Sequence, residues 1–189
     1  MDLYKAISER RSHRQFTNET IDEKELEVIL EAGLLAPSPK NRQPWHFVSC
    51  GPKSKTLVLS LLRRKIEELS SESIHVGSLP ISAKSIAESA HFVLVYNQYS
   101  NREPDYNQNR WKADILSIGA CIQNMLLTAH SKNIQTLWIC DILLAENEIN
   151  NLMGIKDELV AGIVFGIGKR KELPKRPRVE LKNKFILTD

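Results

Sequence analysis

The chain has 189 residues, 42% hydrophobic and 26% charged, which suits one domain with a real core and argues against a fibre or a disordered chain. Its net charge of +3 is a mild bias that favours anionic ligands without demanding nucleic acid. Cys50, Cys121 and Cys140 stand far apart with no CxxC pair, which argues against a disulfide framework or zinc knuckle and for a reducing compartment.

The first residues, MDLYKAISERR, are charged and lack the apolar core of a signal peptide. The longest apolar runs, such as LVAGIVFGIG at 159–168, are too short to span a bilayer as a helix. A soluble, cytoplasmic protein without a membrane partner is the expectation. Residues 2–10 read as a short helix delivering a basic cluster, Arg10, Arg11 and Arg14. Asp22 and Glu25 have the spacing of a capping box. Leu26, Ile29, Leu30, Gly33 and Leu34 then repeat at helical spacing until Pro37 and Pro39 stop the helix. WHFVSCG at 45–51 reads as a strand, and 54–69 as a helix with an exposed basic patch, Arg63-Arg64-Lys65. Residues 70–80 are Ser-rich and ambiguous. A short helix at 82–89 leads to HFVLVYN at 91–97, the clearest buried strand. Residues 98–109 form a polar loop. A long helix runs from Trp111 to about Asn133, with Ile115, Ile118, Ile122, Met125, Leu126 and Ala129 on one side. Within it Gly119 and Ala120 permit close helix approach. QTLWIC at 135–140 is a strand, 145–153 a helix and 159–168 a strand, followed by a basic, Pro-interrupted tail from Lys169. With no repeat and no dividing linker, residues 1–189 read as a single domain of α/β or α+β layers.

Several chemistries lack their motifs. Gly166-Ile167-Gly168 is not a dinucleotide fingerprint, because Lys171 stands where the third Gly belongs, and it is not a P-loop. His13, His46, His75, His91 and His130 show neither HxxxH spacing nor a nearby Cys partner, so no metal site is expected. There is no GxSxG elbow, and no catalytic side chain is assigned. What remains is charge and stiffness. Arg11, Ser12 and Arg14 can bring two guanidinium forks and a hydroxyl to one phosphate, although a solvated helix end has the same composition. A second basic cluster, Lys175, Arg176 and Arg178 in LPKRPR, is either an extended segment packed on the body or a free basic tail. In PSPKNRQPW, Pro37 and Pro39 stiffen a loop whose Ser38, Asn41 and Gln43 offer polar groups to a heteroaromatic edge. Trp45 and Phe47 are expected to enter the core.

Taken together, AISERRSHRQF, APSPKNRQPWHF, DILSIGACIQNMLLTAHSKNIQTLWI and FGIGKRKELPKRPR resemble the nitroreductase family of FMN-dependent oxidoreductases. The resemblance implies an α+β sandwich with a mostly antiparallel sheet wrapped by helices. It implies an intertwined homodimer with FMN at the subunit interface. It also implies NADH or NADPH as hydride donor and a small aromatic, quinone or nitro-type acceptor, the chemistry being carried by FMN. By the same resemblance, Arg10, Arg11, Ser12 and Arg14 match the segment that holds the FMN phosphate and ribityl end. Pro37, Ser38, Pro39 and Asn41 match the loop laid near the isoalloxazine ring by the partner subunit. Arg176 or Arg178 matches a C-terminal phosphate contact. Cys140 and Asp141 fall where family members commonly carry Gly or Glu-Gly beside the flavin, which changes the electrostatics expected near the ring. Other chemistry on the same fold, such as dehalogenation, flavin fragmentation or dehydrogenation, stays open. A nucleic-acid-binding domain using Arg63-Arg64-Lys65 and the basic residues from Lys169 is disfavoured by the near balance of acidic and basic residues and by few aromatics.

Overall fold

The structure, a computed structural model, describes residues 1–170, 173 and 177–188. Helices α1 (Leu3–Glu9) and α2 (Glu23–Leu34) precede β1 (Trp45–Ser49), α3 (Pro52–Ser71), α4 (Leu79–Glu88), β2 (His91–Asn97), α5 (Gln108–Ser131), β3 (Gln135–Ile139), α6 (Glu146–Met153) and β4 (Glu158–Gly166). The sheet order is β1-β2-β4-β3, and every neighbouring pair is antiparallel.

Helices cover both faces of the sheet. Phe92, Leu94 and Tyr96 of β2 enter one core with Val58 and Leu62 of α3, Ile86 of α4 and Ile149 of α6. Val93 and Val95 enter the other with Ile29 of α2 and Ile118, Ile122 and Met125 of α5. Trp45 is buried in that second core and Phe47 packs against it. Strand β4 changes face along its length. Its register against β2 slips between Val95 and Tyr96, so Val160 is skipped. Leu159 therefore joins the first core, whereas Ala161, Ile163 and Phe165 join the second. One extra residue is enough to invert the alternation of a strand.

The helices run longer than their apolar periodicity indicates. Helix α3 starts at Pro52, with proline in its first turn, and α5 starts at Gln108, because the Asn107 side chain caps the backbone N–H groups of Asn109 and Arg110. Asp22 caps α2 through the N–H of Lys24 at 3.0 Å. The reciprocal half of a capping box does not form, since the Glu25 carboxylate turns to Lys132 at 2.7 Å. Lys65 likewise leaves the expected basic patch to pair with Glu148 at 2.8 Å. No helix among the described residues is long and apolar enough to cross a membrane.

Residues 12–17 bind the N-terminal segment to the sheet. Ser12 bridges Thr136 of β3 in parallel, and Phe16 bridges Gly168 beyond β4. The N–H groups of His13 and Thr17 donate to the Thr136 and Ile167 carbonyls, both at 2.9 Å. Phe16 is fully buried, and a Cβ on Gly166 would stand 2.6 Å from its ring. Gly166→Ala therefore forces a buried aromatic to move and is expected to cost about 1–3 kcal/mol by overpacking. Gly119→Ala, whose Cβ would meet nothing nearer than Trp138 at 3.9 Å, is the contrasting variant within one chain. Urea denaturation of both reads the difference as a shift in midpoint.

Candidate functional site

A cavity of about 750 Å³ opens where the segment after α1 passes α4 and the chain leaving β4. Arg10, Arg11, Ser12 and Arg14 line it, with Arg178 from the C-terminal segment. Arg178 and the N-terminal arginines, from opposite ends of the sequence, thus line one cavity. The same geometry is legible in the Arg10 guanidinium, whose proton affinity is lowered by burial and then by the nearby charges of Arg178 and Arg11. Arg176, the other C-terminal candidate, lies outside the described residues. Arg11 is partly committed already, donating to the carbonyls of Ser8 at 2.7 Å and Arg10 at 2.8 Å and so closing the end of α1. The periodicity of α4 gives no hint that Pro80, Ile81 and Lys84 form the opposite wall, and Arg170 joins them from the turn after β4.

His13, almost fully buried, also faces the cavity. It presses on the backbone at Gly168, where a Cβ would lie 2.6 Å from its Nδ1. Burial and then the neighbouring His130 hold its pKa below 6.5, and His130 is itself lowered, chiefly by burial.

The proline loop lies elsewhere. Pro37, Ser38 and Pro39 line a shallow depression of about 450 Å³ with Ala113, Leu116, Ser117 and Ala120 of α5. Asn41 is exposed and lines neither cavity. Within one chain, the two halves of the site named by the sequence are separate. The loop is rigid and strained: Lys40, Asn41 and Gln43 all have positive φ, between 50° and 54°. The Ser38 hydroxyl accepts from the Gln43 N–H at 2.9 Å. Arg42 then fixes the loop to the 98–110 segment and to α5. Its guanidinium donates to both oxygens of Glu103 and both oxygens of fully buried Asp114, at 3.0–3.2 Å. It also lies 4.3 Å from the ring centroid of Tyr99. These bonds, Asp114 first, raise the proton affinity of Arg42. No motif in the sequence singles out Arg42; its signal is an arginine inside a proline-stiffened loop, with acidic partners 61 and 72 residues away.

At the end of β3, Cys140 is exposed, and its thiol pKa is raised by burial and by Asp141. The Asp141 Oδ2 accepts hydroxyl hydrogen bonds from Ser78 and from Ser82, the latter at 3.0 Å. It thereby ties the end of β3 to the start of α4. Neither residue lines the basic cavity. Cys50 and Cys121 are buried thiols pushed up to about 11 and about 12. No group of His, Cys, Asp and Glu suited to a metal ion occurs among the described residues.

Arg42→Met leaves the Asp114 carboxylate buried with only the Tyr106 hydroxyl at 3.0 Å. It should cost about 3 kcal/mol, as for a broken buried ion pair, and open the 37–43 loop to limited proteolysis. Buried His13 and partly buried His130 make stability depend on pH. In the unfolded chain His13 and His130 protonate near 6.5, whereas the folded chain holds both lower. The unfolded state therefore binds more protons below pH 6.5, and stability falls as pH drops from that value toward the depressed folded values. His13→Gln should flatten that slope in urea titrations run across the interval.

Comparison with known proteins agrees with the geometry. The model of the nitroreductase family matches residues 7–168. An Archaeoglobus fulgidus protein named "Putative NADH dehydrogenase/NAD(P)H nitroreductase" is 28% identical over 173 residues, covering 90% of this chain and 87% of its own. A protein of Desulfovibrio desulfuricans, crystallised in complex with FMN, superposes with a TM-score of 0.78 at 23% identity, over 100% of this chain and 98% of that one. The NADPH:FMN oxidoreductase of Vibrio harveyi, crystallised with NAD+, superposes at 0.79 with 18% identity, over 99% and 77% of the two chains. A family match that spans residues 7–168 of the 189 places this chain in the nitroreductase family.

Proposed function

We propose that the chain is an FMN-dependent oxidoreductase that takes a hydride from NADH or NADPH and reduces a small aromatic, quinone or nitro-type acceptor. The observation that carries this reading is the convergence of Arg10, Arg14 and Arg178 on one cavity beside the Ser12 side chain. That donor set fits a phosphate monoester. Guanidinium forks match its oxygens bidentately, and the monoester brings about −1.5 to −2 charge to a lining without a carboxylate among the described residues. FMN, when bound, supplies the hydride chemistry itself.

The chain's own residues supply position. Arg10 is half-buried and crowded by like charge, so an anion relieves a repulsion already present in the fold. Ser12 is fixed on the edge of β3, which sets the direction of its side chain relative to the guanidinium groups. Pro37, Ser38 and Pro39, held by Arg42, offer a rigid wall that needs no ordering when a flat ligand arrives. Asn41 stands at the tip of that loop. By the family resemblance, Cys140 and Asp141 are the positions beside the ring. The Asp141 carboxylate is already engaged by two hydroxyls, so its field at the ring is weaker than that of a free anion.

The separation of the proline loop from the basic cavity supports a homodimer in which each chain completes the other's site. Leu116 of α5 is 75% exposed beside that loop, and Leu3 and Tyr4 of α1 are also exposed. Such a core shared between two single-domain chains makes stability depend on protein concentration. We expect melting temperature to rise with concentration and with added FMN, followed by sedimentation and thermal melts. A folded monomer that binds FMN at full affinity would refute the shared site.

The direct test is FMN titration of purified apoprotein and two variants. Arg14→Ala should weaken binding by about 1.5–3 kcal/mol, the value of one charge-assisted contact. Arg63→Ala, on the exposed face of α3, should leave it unchanged. Anaerobic NADH or NADPH should bleach the yellow complex. Equal effects of the two variants, or no flavin bound, would sink the assignment.

A further inference from the structure

The basic cavity carries more charge than one phosphate requires. Six cationic side chains line it, Arg10, Arg11, Arg14, Lys84, Arg170 and Arg178, and no carboxylate does among the described residues. None of the six forms an ion pair within the described residues. The carboxylate whose charge reaches Lys84 is Glu88, and it is engaged by Lys169 Nζ at 2.9 Å and by the Phe16 N–H at 3.2 Å. A flavin phosphate brings about −1.5 to −2, which two or three guanidinium groups offset. Arg10, Arg14 and Arg178 suffice for it. Of the other three, Arg11 is engaged by the carbonyls of Ser8 and Arg10, whereas Lys84 and Arg170 are exposed on the α4 side and at the turn after β4, on elements other than the one that carries Arg10 and Arg14. A volume of about 750 Å³ leaves room for more than a phosphate group.

We propose that Lys84 and Arg170 select NADPH over NADH by receiving the 2′-phosphate of the dinucleotide, an inference that rests on the oxidoreductase reading above. NADPH differs from NADH by that one phosphate monoester. It adds a dianion where the lining has surplus positive charge, whereas NADH leaves the surplus uncompensated. Both side chains are exposed, so they meet a ligand that arrives from and returns to solvent, as a hydride donor does in each turnover. Because the contact is electrostatic and partly solvated, its contribution falls as salt screens it.

The experiment uses FMN-loaded protein and the oxidised dinucleotides, which bind without reducing the flavin. NADP+ and NAD+ are titrated by calorimetry at low and at physiological salt. NADP+ should bind about tenfold tighter at low salt, the effect of one charge-assisted contact, and the gap should narrow as salt rises. Lys84→Gln and Arg170→Gln should each shrink the NADP+ preference severalfold, whereas Arg63→Ala, on the exposed face of α3, should leave that preference unchanged. Equal binding of the two dinucleotides, or no detectable NADP+ binding, overturns the proposal and leaves the flavin reading intact. If either variant weakens FMN and leaves the NADP+ to NAD+ ratio unchanged, that residue is a flavin phosphate ligand and the proposal fails. If the wild-type protein binds no FMN, the oxidoreductase reading falls, and this inference with it.

Discussion

The site depends on how residues 12–17 are seated. This segment belongs to no helix and to no long strand, yet it is bonded on two sides, to the edge of β3 through Thr136 and to the chain beyond β4 through Ile167 and Gly168. Phe16 is the pin. Its ring is fully buried, and the bare backbone of Gly166 admits it. His13 seats on Gly168 in the same way, while the Gly168 N–H donates to Gln135 Oε1 at 2.8 Å. Those contacts fix the backbone that carries Arg14 and follows Arg10 and Arg11. Anchoring a basic segment by apolar packing and backbone bonds leaves its guanidinium groups available for a ligand.

Such seating has an electrostatic cost. Gathering like charges in one partly enclosed cavity opposes folding, and the proton affinity of Arg10 is lowered first by burial and then by the charges of Arg178 and Arg11. The cost is offset in two ways. The hydrophobic seating of Phe16 holds the segment whatever the charge state. An anionic ligand then converts the repulsion into attraction, and by linkage whatever binds only the folded form stabilises it. His13 and His130 fit the same arrangement: kept neutral by burial, they add no further charge to the cluster near neutral pH.

Much of this is legible in the sequence, for identifiable reasons. HFVLVYN reads as a buried strand because every residue in it is apolar or borders one, and six of its seven positions are buried. The apolar stripe of α5 is visible at helical spacing and fills the second core. The candidate phosphate residues are visible as a dense run of arginines, whereas the placing of Arg178 in the same cavity lining becomes visible only in the fold. The features that escape the sequence are those fixed by distant partners. Nothing local in β4 marks the slip at Val160, which arises from its pairing with β2. Arg42 looks like any loop arginine until Glu103 and Asp114 are brought to it. Lys84 and Arg170 carry no motif, and become cavity residues only because α4 and the exit of β4 border the same space.

The distance between the proline loop and the basic cavity constrains how the chain can assemble. A loop with three non-glycine residues at positive φ is unstable in isolation, since each such conformation opposes folding by of order 1 kcal/mol or more. It persists because Arg42 bonds it to two carboxylates and because the Tyr99 hydroxyl donates to the Arg42 carbonyl at 2.9 Å. Those partners lie on the 98–110 segment and on α5, not on the elements around the cavity. The chain has therefore committed a buried carboxylate, Asp114, and a strained backbone to presenting Pro37, Ser38 and Pro39 beside the exposed Leu116. Rigidity on that scale, directed toward an apolar surface, is hard to account for if the loop faces only water. In the proposed homodimer a second chain seated against α5 gives the loop something to face and brings each chain's loop to the other's cavity.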